Sequence, residues 1–403
     1  MTTEVDPFQR FEEAQAKGVR DPYPDWAAMR AQAPVHEVDL RVEYDLDESV
    51  ELDLPPAYVV LSYEGVTQVL RDPGSFSSSF YADTMGAVMG HSILEMDEPE
   101  HHHYRGLIQQ AFTKKALDRW QDELVRPMVE SIVDEIASRG YGDLVRELTF
   151  PFPVRVIAGM LGLPAEDLPQ FHRWAVELIS VGFDFEVGMA ASQKLRDYFA
   201  SVLAPRRSQP EDDLISVLAH ASLDGQQLDD EQIFAFLRLL LPAGAETTYR
   251  SSSNLLFGLL SNRSQLEALQ ADRSLLPQAI EEGIRWEPPL TAIARWATRG
   301  VEIDGVPVGA ESLIQVNMGA ANRDPSRWER PDEFDIFRPQ HQHVSFALGP
   351  HTCLGMHLAR METTVAMETI LDRLPKLRLD PAADDVHIRG RAFRSPASLP
   401  VVC

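Results

Sequence analysis

The stretch from Phe346 to Arg360, Phe-Ala-Leu-Gly-Pro-His-Thr-Cys-Leu-Gly-Met-His-Leu-Ala-Arg, constrains this chain more than any other. Cys353 stands between Gly349 and Gly355, just ahead of an apolar helical run that continues to about Leu374. A cysteine at the mouth of a helix faces unpaired backbone N–H groups and the positive end of the macrodipole, which favour its thiolate. The flanking glycines allow a tight turn and the close approach of something flat and bulky. A thiolate presented this way is a soft ligand suited to a metal such as iron. Cys-x-Gly alone favours a small buried hydrophobe, so the rest of the chain has to decide.

Bulk properties narrow the field. A hydrophobic content of 44% and a charged content of 25% fit a globular protein with a large core. The formal net charge of −25 argues against nucleic acid or an anionic membrane as partner. Cys353 and Cys403 are the two cysteines, too few for a disulfide framework, and a reducing, cytoplasmic setting is expected. The first residues, Met-Thr-Thr-Glu-Val-Asp-Pro-Phe, lack the basic and apolar regions of a signal peptide. The most apolar window, Phe236 to Ala245, is broken by Arg238, Pro242 and Gly244 and is too short to span a bilayer.

Along the chain, Pro24 to Ala33 reads as a short helix, and the β-rich segments Pro34–Val38 and Ala57–Leu61 are expected to pair. The acidic run Glu43 to Asp53 between them reads as a solvated loop. Tyr63 to Leu70 is helical, stopped by Asp72-Pro73-Gly74. Ser77 to Gly90 shows little periodicity and reads as a mobile loop. A helical body covers 100–290 and 356–374, and Asp304-Gly305 supplies a hairpin turn within a β-rich patch at 293–318. Two further β-rich patches fall near 35–62 and 385–402. The polar Ser208–Asp212 segment is a surface loop between long helices, and a single domain over 1–403 is expected.

Three other constellations carry chemistry. In Pro242-Ala243-Gly244-Ala245-Glu246-Thr247-Thr248, Pro242 and Gly244 weaken the helical ladder and invite a kink that Thr247 can line. Glu246 follows an apolar turn, where a buried carboxylate is costly unless used or partnered. The alternative has Thr247 bonding back to the Ala243 carbonyl and Glu246 turned to solvent. Glu282 and Arg285, three apart, share a helix face and can pair. In His101-His102-His103-Tyr104-Arg105, consecutive histidines point about 100° apart and cannot converge on one metal, but His101 and Arg105 share a face.

Taken together, Phe346, Gly349, His351, Cys353, Gly355 and Leu358-Ala359-Arg360 closely resemble the haem-binding signature of the cytochrome P450 family, with Ala347 where the family usually has glycine. The resemblance implies a mainly α fold with small β-sheets, the triangular P450 unit enclosing haem b. It implies Cys353 as the axial iron ligand, which favours O–O cleavage, as the general account of haem ligation states for this family. Phe346, Gly355, Ala243 and Gly244 would lie against the haem, and Thr247 with Glu246 would form the acid–alcohol pair that delivers protons during oxygen activation. His101, Arg105, Arg295 and His351 match the family's propionate contacts, a task suited to charge-assisted hydrogen bonds. Glu282 and Arg285 look like the Glu-x-x-Arg motif, with Arg338 as the third, structural member.

The implied activity is insertion of one oxygen atom from O2 into a hydrophobic small molecule, by a monomer without membrane or nucleic-acid partners. No Gly-rich Rossmann motif for flavin or nicotinamide follows a strand, so electrons come from outside, in the family usually from a ferredoxin and its reductase. Lys114, Lys115 and Arg119 form a candidate docking patch. The expected substrate pocket is apolar, built from Met85, Met89, Phe183, Phe185, Leu240, Ala243, Ile293 and Phe393. It suits a terpenoid, steroid, aromatic or polyketide. Two alternatives are a peroxide-dependent peroxygenase and a non-catalytic haem sensor or carrier, and the Glu246–Thr247 pair argues against both.

Overall fold

The computed structural model describes residues 19–40, 54–182 and 184–403. The Glu43–Asp53 run and Phe183 lie outside the described residues.

A five-stranded sheet is assembled from distant parts of the chain: β1 (Val35–Val38), β2 (Ala57–Val60), β3 (Phe76–Ser77), β4 (Ala292–Ala297) and β5 (Ser312–Asn317), in the order β1-β2-β5-β4-β3. The expected antiparallel pairing of the first two strands is present, with Val35 opposite Val60. β5 runs parallel to β2 and antiparallel to β4, placing Arg295 opposite Ile314 and Ile293 opposite Val316. Because side chains alternate along a strand, Ile293 and Arg295 share one face of β4. Between β4 and β5, a hairpin pairs Val301–Ile303 with Val306–Val308. Its turn residues Asp304 and Gly305 have φ of 46° and 81°, the double left-handed conformation of a tight hairpin turn.

The helical body holds one large apolar core running from Val88 to Val401. Five helices matter for the site: α1 (Glu100–Gln109), α2 (Asp230–Leu240), α3 (Thr247–Ser261), α4 (Leu276–Trp286) and α5 (Met356–Arg373). α2 begins with a reciprocal cap in which Asp229 and Gln232 satisfy each other's backbone N–H. α2 and α3 are one rod interrupted by a π-helical turn at Leu241–Glu246, where Pro242 supplies no N–H for the ladder. The kink expected from Pro242 and Gly244 takes this form. α5 starts three residues after Cys353 and packs on α3, α4 and the Arg126–Arg139 helix.

The Ser77–Gly90 segment departs from expectation. It contains the end of β3, a 3-10 turn at Ser79–Tyr81 and a short helix at Met85–Met89. Its order comes from long-range bonds that periodicity does not reveal. Asp97 accepts from the Ser78 N–H at 2.8 Å, and the Tyr81 hydroxyl accepts from the Ala294 N–H at 2.8 Å.

Candidate active site

The cysteine loop is held by its own backbone and by α4. The Cys353 N–H donates to the Phe346 carbonyl at 2.8 Å. Gly349 has φ +72°, and a Cβ there would lie 2.4 Å from the Leu70 carbonyl oxygen, so only glycine fits. Ala347 has φ +54°, a left-handed conformation that strains any residue with a Cβ. The departure from the family pattern therefore sits at a position where the backbone asks for glycine. The Arg360 guanidinium lies over the Phe346 ring at 4.6 Å and bonds Glu281 at 2.6 and 2.7 Å. Burial pushes the Glu281 carboxyl up, but hydrogen bonds from Arg360 and His343 outweigh it and bring the pKa to about 2.

Beneath this loop, Glu282, Arg285 and Arg338 meet as the motif implied. Arg285 donates to Glu282 through Nε at 2.7 Å and Nη2 at 2.8 Å, and Arg338 Nε donates at 3.2 Å. The Asp335 N–H adds a fourth bond at 2.9 Å. Arg285 also reaches the Asn322 carbonyl, and Asn322 in turn binds the Val344 N–H and the Ser345 hydroxyl just ahead of Phe346. That chain of bonds is how the brace reaches the cysteine loop.

The four basic residues gather around the loop. Arg105 Nη2 donates to the Thr352 carbonyl at 2.7 Å, adjacent to Cys353. The rings of His101 and His351 are 4.0 Å apart, and His351 Nε2 bonds the Ser78 hydroxyl at 3.1 Å. Arg295, 5% exposed, donates to the Ala294 carbonyl. Burial, then the positive fields of Arg295, His101 and Arg105, push the His351 pKa down to about 3. The Cys353 side chain is solvent-exposed; the protein crowded around it raises its thiol, while the Gly355 N–H, Arg105 and Arg360 pull the other way.

On the kinked helix, the Thr247 hydroxyl donates to the Ala243 carbonyl at 2.7 Å, as the blander reading of the sequence had it. Glu246 does not turn to solvent. It is buried against Phe150, Val154, Val176 and Ile179 and bonded by Arg250, a residue the motif reading passed over. The spacing of four between Glu246 and Arg250 was the signal available. Also missed was Glu362 on α5, a buried carboxyl hydrogen-bonded by Thr248 and pushed up to about 8 by burial. Together with the Ser252–Thr363 hydroxyl contact at 3.2 Å, it joins α3 to α5.

Of the expected pocket residues, Met89 and Leu240 are buried, Met85, Ile293 and Phe393 are half-buried, and Ala243 is accessible. Phe393 bridges to Leu290 in an antiparallel pair. Phe185, the first residue of the Phe185–Ser208 helix, is 60% exposed. In the candidate docking patch, Lys114 pairs with Asp118 at 2.8 Å and Arg119 contacts Asp212. That face offers an acidic partner less positive charge than its three basic residues suggest.

The chain is thus a helical body with a small mixed sheet and a braced, exposed cysteine loop, and comparison with known proteins identifies the class. Residues 179–388, just over half of the chain, match the family model described as Cytochrome P450. The chain is 35% identical to cytochrome P450 107B1 of Saccharopolyspora erythraea, over 100% of this chain and 99% of that protein. It is 37% identical to the steroid C26-monooxygenase of Mycolicibacterium smegmatis, covering 85% and 86%. The crystal structure of CYP109E1 from Bacillus megaterium in complex with testosterone superposes with a TM-score of 0.85 at 32% identity, covering 95% of this chain and 99% of that one. The chain belongs to the cytochrome P450 family, as a bacterial-type P450 monooxygenase.

The family's cofactor is haem, and the residues present fit it. Arg105 and Arg295 have no carboxylate within ion-pair distance among the described residues, and the buried His101 Nε2 has no hydrogen-bond partner. Two arginines lacking anions suit two propionates. A Cβ at Gly355 would meet nothing within 4 Å, so that side of the loop can take a flat ring. Among the described residues, no helix is long and apolar enough to cross a membrane.

Proposed function

We propose that this P450 is a cytoplasmic haem-thiolate enzyme that hydroxylates or epoxidises a hydrophobic small molecule, with electrons from a ferredoxin and its reductase. The observation that carries the reading is the convergence of Arg105, Arg295, His101 and His351 on the loop that holds Cys353, the two arginines having no carboxylate within ion-pair distance among the described residues. Haem b bound there supplies dioxygen activation and the transfer of one oxygen atom.

The chain's own residues do the rest. Cys353 Sγ would hold the haem iron as its thiolate, and metal binding would release the thiol proton. Arg105, Arg295, His101 and His351 would hold the propionates, and Phe346, Gly355, Ala243 and Gly244 would lie against the haem. Thr247, whose hydroxyl is anchored on Ala243, positions a proton beside the substrate, and Glu246 refills it from the far side of the helix. Met85, Met89, Leu240, Ile293 and Phe393 exclude water and orient an apolar substrate. The steroid named for one relative and the testosterone bound by another support a polycyclic substrate of steroid type.

The test is turnover under isotopically labelled dioxygen, using a steroid panel that includes testosterone and is screened first by the haem Soret shift. One labelled oxygen atom in the product, dependent on ferredoxin and reductase, is the expected result. Product formed with peroxide alone, and none with the redox partners, would transfer the reading to a peroxygenase.

A further inference from the structure

The kinked helix carries a charge that this reading leaves unused. Arg250 is 2% exposed and stands one turn beyond Glu246. Its Nε and Nη2 donate to Glu246 Oε1 at 3.3 and 3.0 Å. Its Nη1 donates to the Ser395 hydroxyl at 2.9 Å, and its guanidinium carbon lies 5.5 Å from the Phe393 ring centre and 4.8 Å from that of Tyr249. One buried guanidinium is thus shared between the acid of the kinked helix and the loop that presents Phe393.

That loop is tied to the segment leading into β4. The Thr291 N–H donates to the Ala392 carbonyl at 2.8 Å, the Arg394 N–H to the Pro289 carbonyl at 3.0 Å, and Phe393 bridges Leu290. Gly390, at φ +106°, turns so tightly that a Cβ would lie 1.9 Å from the Phe393 carbonyl oxygen. Phe393 and Ser395 flank Arg394, whose buried guanidinium is anchored on Glu287 at 2.6 Å, so both contacts of Arg250 with this loop lie on one short segment.

The other neighbours of Glu246 are apolar side chains from two helices: Phe150 and Val154, which bracket the start of Pro151–Met160, and Val176 and Ile179 of Leu168–Ile179. Tyr249 lines the same small space, and His172 stands behind Phe150, its ring 6.3 Å away. Burial raises the Glu246 carboxyl, and Arg250 is the charge that opposes it. Whether this carboxyl holds a proton thus depends on how firmly Arg250 grips it.

We propose that Arg250 is a positioning residue that couples substrate contact at Phe393 to the proton held by Glu246. A substrate pressing on Phe393 draws the guanidinium toward the 393–395 loop, its grip on Oε1 loosens, and the carboxylate takes one proton from solvent. The acid is then loaded for Thr247 only when the pocket is filled. The inference rests on the reading of Glu246 as the proton source.

The experiment follows the protonated carboxyl band of Glu246 in the holoenzyme by difference infrared spectroscopy, assigned by its loss in Glu246→Gln. Arg250→Met should raise the proton affinity of Glu246 by about tenfold or more, and Arg250→Lys should restore most of the wild-type midpoint. Ser395→Ala, which does not touch Glu246, should release the guanidinium to the carboxylate and lower the midpoint. In an Arg250→Lys background, Ser395→Ala should have no effect. A midpoint unmoved by Ser395→Ala, or a carboxyl that never takes a proton at any pH where the protein stays folded, overturns the coupling. If Arg250→Met does not fold, the Lys and Ser395 variants decide alone. Failure of the underlying reading looks different: Glu246→Gln would then turn over with undiminished product yield per electron, whatever the titration shows.

Discussion

Two regions of this molecule bury carboxyl groups, and they compensate them in opposite ways. Under the cysteine loop, Glu282 receives three bonds from Arg285 and Arg338 and one from a backbone N–H. The spare guanidinium donors end on carbonyls of Asn322, Arg330, Pro331 and Glu333. Around the kinked helix, among the described residues, Glu246 is bonded by Arg250, which also bonds Ser395, and Glu362 is met by the Thr248 hydroxyl. A fully bonded network fixes a geometry. A buried carboxyl short of positive charge is pushed toward its protonated form. The first region is fully bonded, and the second leaves its carboxyls only partly compensated.

The contrast is broken most severely by Glu282→Gln. Removing one member of a buried, bonded pair leaves guanidinium charge uncompensated and costs about 3–5 kcal/mol. Denaturant unfolding of the holoenzyme should show that loss, together with a lower haem content. A loss under about 1 kcal/mol would mean the brace is dispensable.

Glu362→Gln should act in the opposite direction. A glutamate ionises at about pH 4.3 when unfolded, whereas in the fold Glu362 holds its proton up to about 8. Because the folded value is raised, the stability of the neutral carboxyl is complete below about pH 4 and is lost progressively as pH climbs to about 8. The variant should therefore be more stable than the wild type by about 3 kcal/mol at pH 7, with a flatter pH profile between 5 and 8. Midpoints of urea unfolding at several pH values check this. Equal slopes in both proteins would contradict it.

The smallest effect belongs to Ala347→Gly. The left-handed backbone costs an alanine about 1–2 kcal/mol, and glycine gives back about 0.5–1 through the entropy of the unfolded chain. A net gain of roughly 0.5–1 kcal/mol in the same unfolding assay is expected, and a loss would mean that the methyl packs usefully.

Local chemistry made much of this legible. Asp304-Gly305 announced its hairpin because few residues tolerate two positive φ angles in succession. Pro242 and Gly244 announced the kink, and the loop from Phe346 to Arg360 announced the site. What stayed hidden depends on contacts far apart in sequence. Ser78 and Tyr81 order their segment through Asp97 and Ala294. Arg250 looked like one more helical charge until Ser395, 145 residues away, proved to be its other partner. Glu362 gave no local sign, because a single acid in an α-helix is ordinary until its surroundings are known. Ala347 was visible as a departure, but only its φ explains what it changes.

The central claim is that Cys353 supplies the thiolate that makes this haem site an oxygenase. The most direct measurement is the absorption spectrum of the reduced, carbon monoxide-bound protein, in the wild type and in Cys353→Ser. The wild type should give the strongly red-shifted Soret band of thiolate ligation, and the variant should lose it. A Cys353→Ser protein that keeps that band would contradict the account.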